Sequence, residues 1–257
     1  MSEKKNSLGD RMKTFYEDRT RIFLPRRTYT IIRIDGKAFH TYTKGLEKPF
    51  DIQFINDMDE TACYMCKNIQ GAKFAFVQSD EISILLTDFE TLTTDAWFDG
   101  NVQKIVSVSS SLATAKFNQL RLQAIQRKET NDCFGIISKS TLAMFDSRVF
   151  TIPSDIEVEN YFIWRQQDTV RNSIQSVAYN LYSPKEVYGK NTDQLQEMCF
   201  QKGVNWNDFD PKLKRGRIIV KEQYVKEGAA RTKWISIEPP IFTQNREFLS
   251  NLIPKLR

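Results

Sequence analysis

Carboxylate side chains lie at the ends of short apolar runs in the first third of the chain. Asp35 closes one run, and Asp80 and Glu81 lie between two further runs at residues 74–77 and 82–86. Such β-rich runs predict neighbouring strands of one sheet, with the acidic side chains gathered at one edge. Gathered carboxylates are the hard oxygen ligands that Mg²⁺ ions share with substrate phosphates. The pattern therefore predicts phosphoryl or nucleotidyl transfer.

A structural interpretation competes with this one. Asp and Glu are ordinary turn residues, and a lone Asp-Gly or Ser-Asp-Glu turn is more often structural than catalytic. The repetition of the pattern on separate predicted strands favours the metal-binding interpretation.

The remaining residue types and motifs exclude several other kinds of active site. His40 is the single histidine, which excludes a multi-histidine zinc site and confines any Ser-His-Asp triad to that residue. Neither glycine-rich phosphate motif, G-x-x-x-x-G-K-[ST] or G-x-G-x-x-G, occurs in the sequence. Cys63 and Cys66 form a C-x-x-C pair inside a predicted helix, where packing is favoured over a redox or metal role.

Hydrophobic periodicity predicts the elements that must position the carboxylates. Apolar residues three or four apart predict a helix over residues 52–70, with Asp51 as its N-cap and Gly71 at its end. A second helix is predicted over residues 96–118, with Lys104 on its polar side. Strands are predicted at residues 28–35, 74–77, 82–86, 134–137 and 148–152. This β-α-β-β-α-β order is typical of a split βαβ, ferredoxin-like fold, so we expect an α+β protein with an α/β two-layer core.

Helical patterns continue through the second half of the chain. Helices are predicted over residues 155–182 and 184–202, the second ended by Gly203, and a strand over residues 218–220. The first of these helices carries a polar stripe that includes Asp168, which is a solvated face unless it lines a cleft.

The chain shows no repeat, low-complexity tract or evident linker. We therefore expect one domain over residues 1–257, with a core over about 28–152 and a helical and basic appendage over about 153–257.

Basic residues concentrate at the two ends of the chain. Residues 1–30 carry eight Lys and Arg against four Asp and Glu, and residues 211–257 carry eleven against four. The net charge of the whole chain is +5, which leaves the middle net negative. Basic flanks around an acidic centre favour a polyanion as partner, although solvated surface charge explains the counts equally well. The candidate polyanion contacts are Arg26, Arg27, Arg148, Lys212, Lys214, Arg215 and Arg217.

The number of cysteines and the N-terminal residues indicate the cellular compartment in which the protein is expected. Four cysteines are too few for a secreted disulfide scaffold, and the first residues lack the apolar stretch of a signal peptide. No run approaches the ~18 apolar residues of a membrane span. We expect a cytoplasmic protein with no membrane partner.

Five short motifs occur in the order typical of one enzyme family. They are Arg33–His40 (R-I-D-G-K-A-F-H), Lys48–Asp51 (K-P-F-D), Gln78–Ser83 (Q-S-D-E-I-S), Phe145–Val149 (F-D-S-R-V) and Trp164–Asp168 (W-R-Q-Q-D). Together they resemble the tRNA(His) guanylyltransferase family of 3′-to-5′ nucleotide-adding enzymes, and the resemblance covers most of residues 10–220.

This resemblance implies a polymerase-like palm, a homotetramer and two Mg²⁺ ions. The implied metal ligands are Asp35, the backbone carbonyl of Gly36, and Asp80. Glu81 would orient a metal-bound water or brace the turn, and we favour bracing. Triphosphate contacts are implied for Ser79 and Lys104. Further nucleotide contacts are implied for Lys37, Ala38, Phe39, His40, Lys48, Asp51 and Asp168.

One segment departs from the pattern of eukaryotic members that add a single G to tRNA(His). Those enzymes carry H-I-N-N-L-Y-N-T after the W-R-Q-x-D element, whereas residues 170–177 here read V-R-N-S-I-Q-S-V. Only Asn172 keeps its place. The chain is therefore more similar to the bacterial and archaeal branch, which resembles a template-dependent repair polymerase for tRNA 5′ ends.

The expected activity is template-dependent addition of nucleotides to the 5′ end of truncated tRNA. The expected substrates are tRNA, GTP, ATP and other nucleoside triphosphates, and the 5′ end would be activated by ATP or already carry a triphosphate. Obligate G addition to tRNA(His) is the nearest alternative. A nucleotidyl cyclase would need no large polyanion surface, and a non-catalytic RNA-binding module would not need Asp35 and Asp80 together.

Overall fold

A six-stranded sheet forms the centre of the molecule. The computed structural model describes residues 7–129 and 142–256. Within these ranges the strands are β1 (Tyr29–Gly36), β2 (Ala72–Gln78), β3 (Glu81–Leu86), β4 (Phe145–Ile152), β5 (Arg217–Lys226) and β6 (Ala229–Ile237). Their order across the sheet is β4-β1-β3-β2-β5-β6, and every neighbouring pair is antiparallel.

Helices connect and cover these strands. They are α1 (Leu8–Met12), α2 (Phe39–Tyr42), α3 (Ile52–Asn68), α4 (Val102–Glu129), α5 (Asp155–Leu181), α6 (Pro184–Val187), α7 (Thr192–Gln201), α8 (Pro211–Arg215) and α9 (Arg246–Leu252). Shorter helical turns cover Lys13–Glu17, Asp18–Thr20, Trp97–Gly100 and Trp206–Asp208. Among the described helices, none is both long and apolar enough to cross a membrane.

The predicted β-α-β-β-α-β order is confirmed over β1 to β4. The spatial order β4-β1-β3-β2 follows from two split βαβ units, because β3 lies between β1 and β2 and is antiparallel to both. The strand expected at residues 134–137, and Cys133 before it, lie outside the described residues.

Side chains alternate between the two faces of the sheet, and each face has its own core. Ile32, Ile34 and Val77 pack with Met58 and Met65 of α3 on one face. On the other face, the aromatic side chains of β2 pack against α5 and the chain around α9. Helices therefore cover both faces, so α5 adds a third layer to the predicted two-layer core.

Local capping sets the start of α3 as the sequence predicted. The Asp51 carboxylate accepts a hydrogen bond from the Phe54 backbone N–H at 2.7 Å, which satisfies a free donor in the first turn. The helix ends at Asn68, before the predicted end at Gly71. The second predicted helix also shifts, because Trp97–Gly100 forms a separate turn and α4 runs from Val102 to Glu129.

The C-terminal half differs more from the prediction. The single helix expected over residues 184–202 is broken into α6 and α7 near Gly189, which has a φ of 73°. The short strand predicted at residues 218–220 is a ten-residue strand, β5, that pairs directly with β2. Its hairpin partner β6 was not predicted, although Glu227-Gly228 is a two-residue turn with both φ values positive.

A third, smaller core lies beyond the end of the sheet. The C-terminal half of α5 contributes Ile174 and Val177, which pack against Leu195 and Cys199 of α7 and against Trp206. This arrangement places a helical wall opposite the strand ends that carry the acidic residues.

Gly216 joins that wall to β5 at a close contact. A Cβ atom there would lie 2.6 Å from Cζ of Phe76 and 2.8 Å from the Val77 carbonyl oxygen, and the residue has a φ of +81°. Gly216→Ala should therefore lower the free energy of unfolding by about 2–4 kcal/mol, through overpacking and backbone strain together.

Gly189→Ala is the matched control for this substitution. Its φ is +73°, but a Cβ would meet nothing within 4 Å, so we expect a loss of only about 1 kcal/mol. Denaturant unfolding of both variants measures the difference, and equal losses would contradict the predicted close contact.

Candidate active site

Antiparallel register brings acidic residues together at one edge of the sheet. Asp35 at the end of β1 is the register partner of Glu81 on β3 and of Asp146 on β4. Asp80 lies in the tight β2–β3 turn, beside Ser79, which has a φ of 42°. The predicted gathering of carboxylates at strand ends is therefore what the fold produces.

Burial and like charge act together on Asp80. Desolvation, with a smaller contribution from the charges of Asp35 and Glu81, raises the pKa of Asp80 to about 6, although hydrogen bonds from the Asp80 backbone and the Ser79 side chain oppose the rise. The Asp80 carboxyl therefore resists ionisation more than an ordinary aspartate does.

Glu81 differs from its two acidic neighbours because arginines already compensate its charge. Its side chain is 6% exposed and lies 2.7 Å from both Arg165 Nη2 and Arg33 Nη2. Asp35 makes only longer ion pairs among the described residues, at 3.7 Å to Arg33 and 3.8 Å to Arg148. The geometry thus favours bracing for Glu81 and leaves Asp35 and Asp80 for a metal.

The donor set fits magnesium shared with a substrate. Among the described residues, no group of three or more His, Cys, Asp or Glu side chains could hold a metal ion. Mg²⁺ is commonly bound by one or two carboxylates together with substrate phosphates, so the pair Asp35 and Asp80 suffices. The placement of Asp35 opposite Glu81, with Asp80 directly before Glu81, is the observation that supports a cation there.

A cavity of about 570 Å³ opens beside these carboxylates. The strand ends, the loop before α3 and the C-terminal half of α5 form its walls. Its volume lies within the range of small-molecule sites. The predicted residues that line it are Asp35, Phe39, His40, Lys48, Asp51, Ser79, Asp80, Glu81, Asp168 and Arg217.

The segment after Asp35 is shaped by packing. A Cβ at Gly36 would lie 2.2 Å from the Phe39 ring, so only glycine lets that ring pack as it does. Phe39 is 4% exposed and packs on Phe117 and Phe145. Its ring is therefore mainly a core element that also forms the floor of the cavity.

The neighbouring residues expose backbone and polar groups. Ala38 adopts the left-handed conformation with a φ of 55°, and Lys37 and His40 are exposed. Asp51 uses one carboxylate oxygen to cap α3 and the other to accept from the Glu47 backbone N–H at 3.2 Å. A nucleotide contact at Asp51 would have to compete with these two bonds.

The polar stripe of α5 lines a cleft. The sequence had left open whether this stripe was a solvated face or the wall of a cleft. Asp168 accepts from Arg165 at 3.0 Å and also contacts Arg171. Asn172, Ser173, Gln175 and Ser176, from the segment that departs from the eukaryotic pattern, line the same cavity. The departure therefore falls on the cavity wall.

Lys104 does not line the cavity of its own chain. It lies in the first turn of α4, and Phe117, which packs against Phe39, is thirteen residues further along. At 1.5 Å per residue this is about 20 Å along the helix. The expected triphosphate contact from Lys104 is therefore not made in its own chain's cavity.

Two residues of the predicted basic cluster are buried, which corrects their assignment as surface contacts for a polyanion. Lys214 is 5% exposed, and its Nζ donates to the Asn207 carbonyl at 2.6 Å. Arg217 is 3% exposed, and its Nε donates to Asp59 at 2.8 Å. Lys212 remains exposed and Arg215 is half-buried.

The N-terminal pair is also occupied by structural contacts. Arg26 forms ion pairs with Asp88 at 2.7 Å and Asp99 at 3.0 Å, and Arg27 donates its backbone N–H to Asp88. Arg26 therefore helps to hold the loop before α4, whereas the contact of Arg27 with Asp88 is made by its backbone, and the phosphate contacts expected of both side chains stay predictions. Arg148 keeps a side chain that is 53% exposed, beside Asp35.

The sequence patterns assigned no role to two arginines at the site. Arg33 and Arg165 occur in two of the motifs, and the structure shows that both line the cavity and contact Glu81. A signal was present, because a buried strand with an internal arginine needs a partner carboxylate nearby.

Comparisons with known proteins agree with this geometry. The family model described as Thg1, tRNAHis guanylyltransferase, matches residues 9–153. A bacterial tRNA(His) guanylyltransferase (Thg1)-like protein in complex with ATP has a TM-score of 0.83 and 43% identity, covering 96% of this chain and 99% of that chain. The same kind of bacterial protein in complex with GTP gives a TM-score of 0.78 and 45% identity, with the same coverage.

A fungal relative is similar at lower identity. The tRNA(His) guanylyltransferase of Eremothecium gossypii is 30% identical over 206 residues, covering 75% of this chain and 82% of that protein. The fold match to the bacterial protein and the similarity to a tRNA(His) guanylyltransferase define the class of this protein, which is a nucleotidyltransferase. The chain belongs to the tRNAHis guanylyltransferase family. Its higher identity to the bacterial proteins agrees with the branch predicted from the sequence.

The raised pKa of Asp80 predicts a pH-dependent response to Mg²⁺. Below a pKa of about 6 the carboxyl is mostly protonated, so protons compete with the metal and apparent Mg²⁺ affinity should rise as pH increases through that value. In metal-free protein, the folded state holds this proton more tightly than the unfolded chain does. The contribution of Asp80 to stability is then present below about pH 4 and lost as pH rises past about 6.

Thermal unfolding with EDTA or Mg²⁺, from about pH 4 to about pH 8, measures both effects. Asp80→Asn should abolish them, because the amide does not titrate. A pH dependence that persists in Asp80→Asn would show that another group is responsible.

Proposed function

We propose that this chain adds nucleotides in the 3′-to-5′ direction to the 5′ end of truncated tRNA, following the opposite strand of the acceptor stem. The 3′-hydroxyl of an incoming nucleoside triphosphate attacks the 5′-phosphate of the RNA, which has been activated by adenylylation or already carries a triphosphate. The bond to AMP or pyrophosphate breaks as the new phosphodiester forms.

The observation that carries this proposal is the cavity beside Asp35 and Asp80. Its walls include both carboxylates, together with the loop and helix that match the family's nucleotide segments. Among the described residues, the arginines nearest to Asp35 lie 3.7 and 3.8 Å away. The bacterial relatives were solved in complexes with ATP and with GTP, which supports nucleoside triphosphates as ligands here.

The residues of the chain have separate roles in this proposal. Asp35, the Gly36 carbonyl and Asp80 would hold two Mg²⁺ ions, which when bound supply charge neutralisation at the phosphates and a lowered pKa of the attacking hydroxyl. Ser79 and Lys48 would bind triphosphate oxygens from two sides of the cavity. Lys37, Ala38, His40, Asp51 and Asp168 would hold the nucleoside.

Base pairing within the RNA substrate would select the incoming nucleotide. The protein then needs to hold the tRNA backbone and need not read the base. Phosphate contacts would come from the predicted basic residues whose side chains are neither buried nor paired within the fold as Arg26 is: Arg27, Arg148, Lys212 and Arg215. The homotetramer implied by the resemblance and the cytoplasmic location remain predictions.

Obligate G addition to tRNA(His) is the second candidate. The name of the matching family and of the fungal relative favours it. The wall formed by residues 170–177 disfavours it, because that segment keeps only Asn172 of the eukaryotic pattern while lining the cavity.

Asp35→Asn and Asp80→Asn should each lower nucleotide addition by at least ~10³-fold, the size of loss typical of removing a main electrostatic stabiliser. Far-ultraviolet circular dichroism should show an intact fold. Labelled triphosphate, Mg²⁺ and a 5′-truncated tRNA provide the assay.

Asp146→Asn is the matched control, because Asp146 is the register partner of Asp35 but is 59% exposed and paired with Arg148. We expect less than about a tenfold loss from this control, as for a rim charge. Near-normal activity in either Asp35→Asn or Asp80→Asn would overturn the two-carboxylate assignment.

Template dependence separates the two candidate functions. If the opposite strand selects the nucleotide, the protein should restore missing 5′ nucleotides on truncated tRNAs of several identities. Changing the base opposite the missing position should change which triphosphate is incorporated. G addition regardless of that base, or activity confined to tRNA(His), would favour the second candidate.

A further inference from the structure

Two arginines from different elements clamp Glu81. Arg165 of α5 donates from Nε to Oε1 at 2.8 Å and from Nη2 to Oε2 at 2.7 Å. Arg33 of β1 lies with its Nη2 2.7 Å from the same Oε2. The side chains of Arg165 and Glu81 are 3% and 6% exposed. A two-point contact of this kind fixes the orientation of the carboxylate as well as its position.

The same arginines extend to acidic residues on either side. Arg165 also donates to Asp168 at 3.0 Å, and Arg33 lies 3.7 Å from Asp35. One ionic network therefore joins β1, β3 and α5 along the wall of the cavity. The indole ring of Trp164 lies 4.4 Å from the Arg165 guanidinium and supports it.

Glu81 connects this network to the carboxylate pair. It directly follows Asp80, and it is the register partner of Asp35. Neighbouring carboxylates repel one another. The two-residue turn Ser79-Asp80 is held at its ends by Gln78 and Glu81, which pair across the β2–β3 hairpin. The clamp on Glu81 thus fixes the backbone on one side of Asp80.

We propose that Arg165 and Arg33 are positioning residues, which act through Glu81 to set Asp80 at the distance from Asp35 that a shared metal ion requires. The inference rests on the proposed metal-binding role of Asp35 and Asp80. Arg165 also contacts Asp168. The network therefore holds the Asp35 and Asp80 carboxylates in a fixed position relative to the wall of the cavity that α5 forms.

A purely structural role is the competing explanation. Breaking a buried ion pair destabilises a fold wherever it lies. The two explanations differ in what happens to Mg²⁺, because groups that orient metal ligands typically change metal affinity or activity by about 10–100-fold when altered.

Arg165→Lys keeps the charge and removes the two-point geometry. In this variant the dissociation constant for Mg²⁺, measured by calorimetric titration of the tRNA-free protein with MgCl₂, should rise by about tenfold or more. The maximal rate of nucleotide addition should fall by about 10–100-fold at saturating triphosphate. Arg33→Lys, on a side chain that is 19% exposed, should give a smaller change in the same direction.

Arg121→Lys is the matched structural control. Arg121 of α4 pairs with Asp57 at 3.0 Å, with side chains that are 17% and 5% exposed, and it does not line the cavity. This variant should lose thermal stability to an extent similar to Arg165→Lys while keeping the wild-type Mg²⁺ affinity and rate.

An Arg165→Lys protein that loses stability like the control but binds Mg²⁺ as the wild type does would overturn the inference. If Arg165→Lys does not fold, the same titration of Arg33→Lys decides, and unchanged Mg²⁺ affinity there overturns it too. A wild-type protein that binds no Mg²⁺, either alone or with a non-hydrolysable nucleoside triphosphate analogue bound, would instead overturn the metal assignment, and with it this inference. Wild-type Mg²⁺ binding without nucleotide addition would refute the proposed activity and leave the positioning role standing.

Discussion

The antiparallel register of β1 with β3 is the constraint on which the site depends. It places Asp35 directly opposite Glu81, with Asp80 in the adjoining turn. Such a concentration of negative charge is unfavourable unless something offsets it. Two arginines offset Glu81. In the proposed mechanism, Mg²⁺ and the substrate phosphates would offset the remaining charge on Asp35 and Asp80.

The long helix α5 links this edge of the sheet to the rest of the molecule. Its first half packs Phe162 against the sheet, and its second half packs Ile174 and Val177 in the helical core. Between these two packed ends, Arg165 and Asp168 face the cavity. A single rigid element therefore holds the clamp on Glu81 and the wall that would contact the nucleotide, which favours a preorganised site.

The sequence predicted the parts of this structure that depend on local pattern. The β-α-β-β-α-β order, the Asp51 cap and the acidic edge each follow from periodicity or turn chemistry over a few residues. The β5–β6 hairpin was missed because Lys221 to Lys226 is largely polar and half-exposed, so its alternation carries little hydrophobic signal. Counting charge could not show that Lys214 and Arg217 are buried, because their partners Asn207 and Asp59 are brought to them by tertiary packing.

Growth at the 5′ end distinguishes the proposed reaction from ordinary polymerisation, and the fate of the γ-phosphate reports the direction of growth. A tRNA that lacks only its first nucleotide is incubated with Mg²⁺, ATP and GTP labelled at the γ-phosphate, where the missing position pairs with C. If the 3′-hydroxyl of GTP attacks the activated 5′ end, the added nucleotide keeps its triphosphate and the label remains on the RNA. Label released as pyrophosphate, with G joined at the 3′ end of the RNA, would contradict the account.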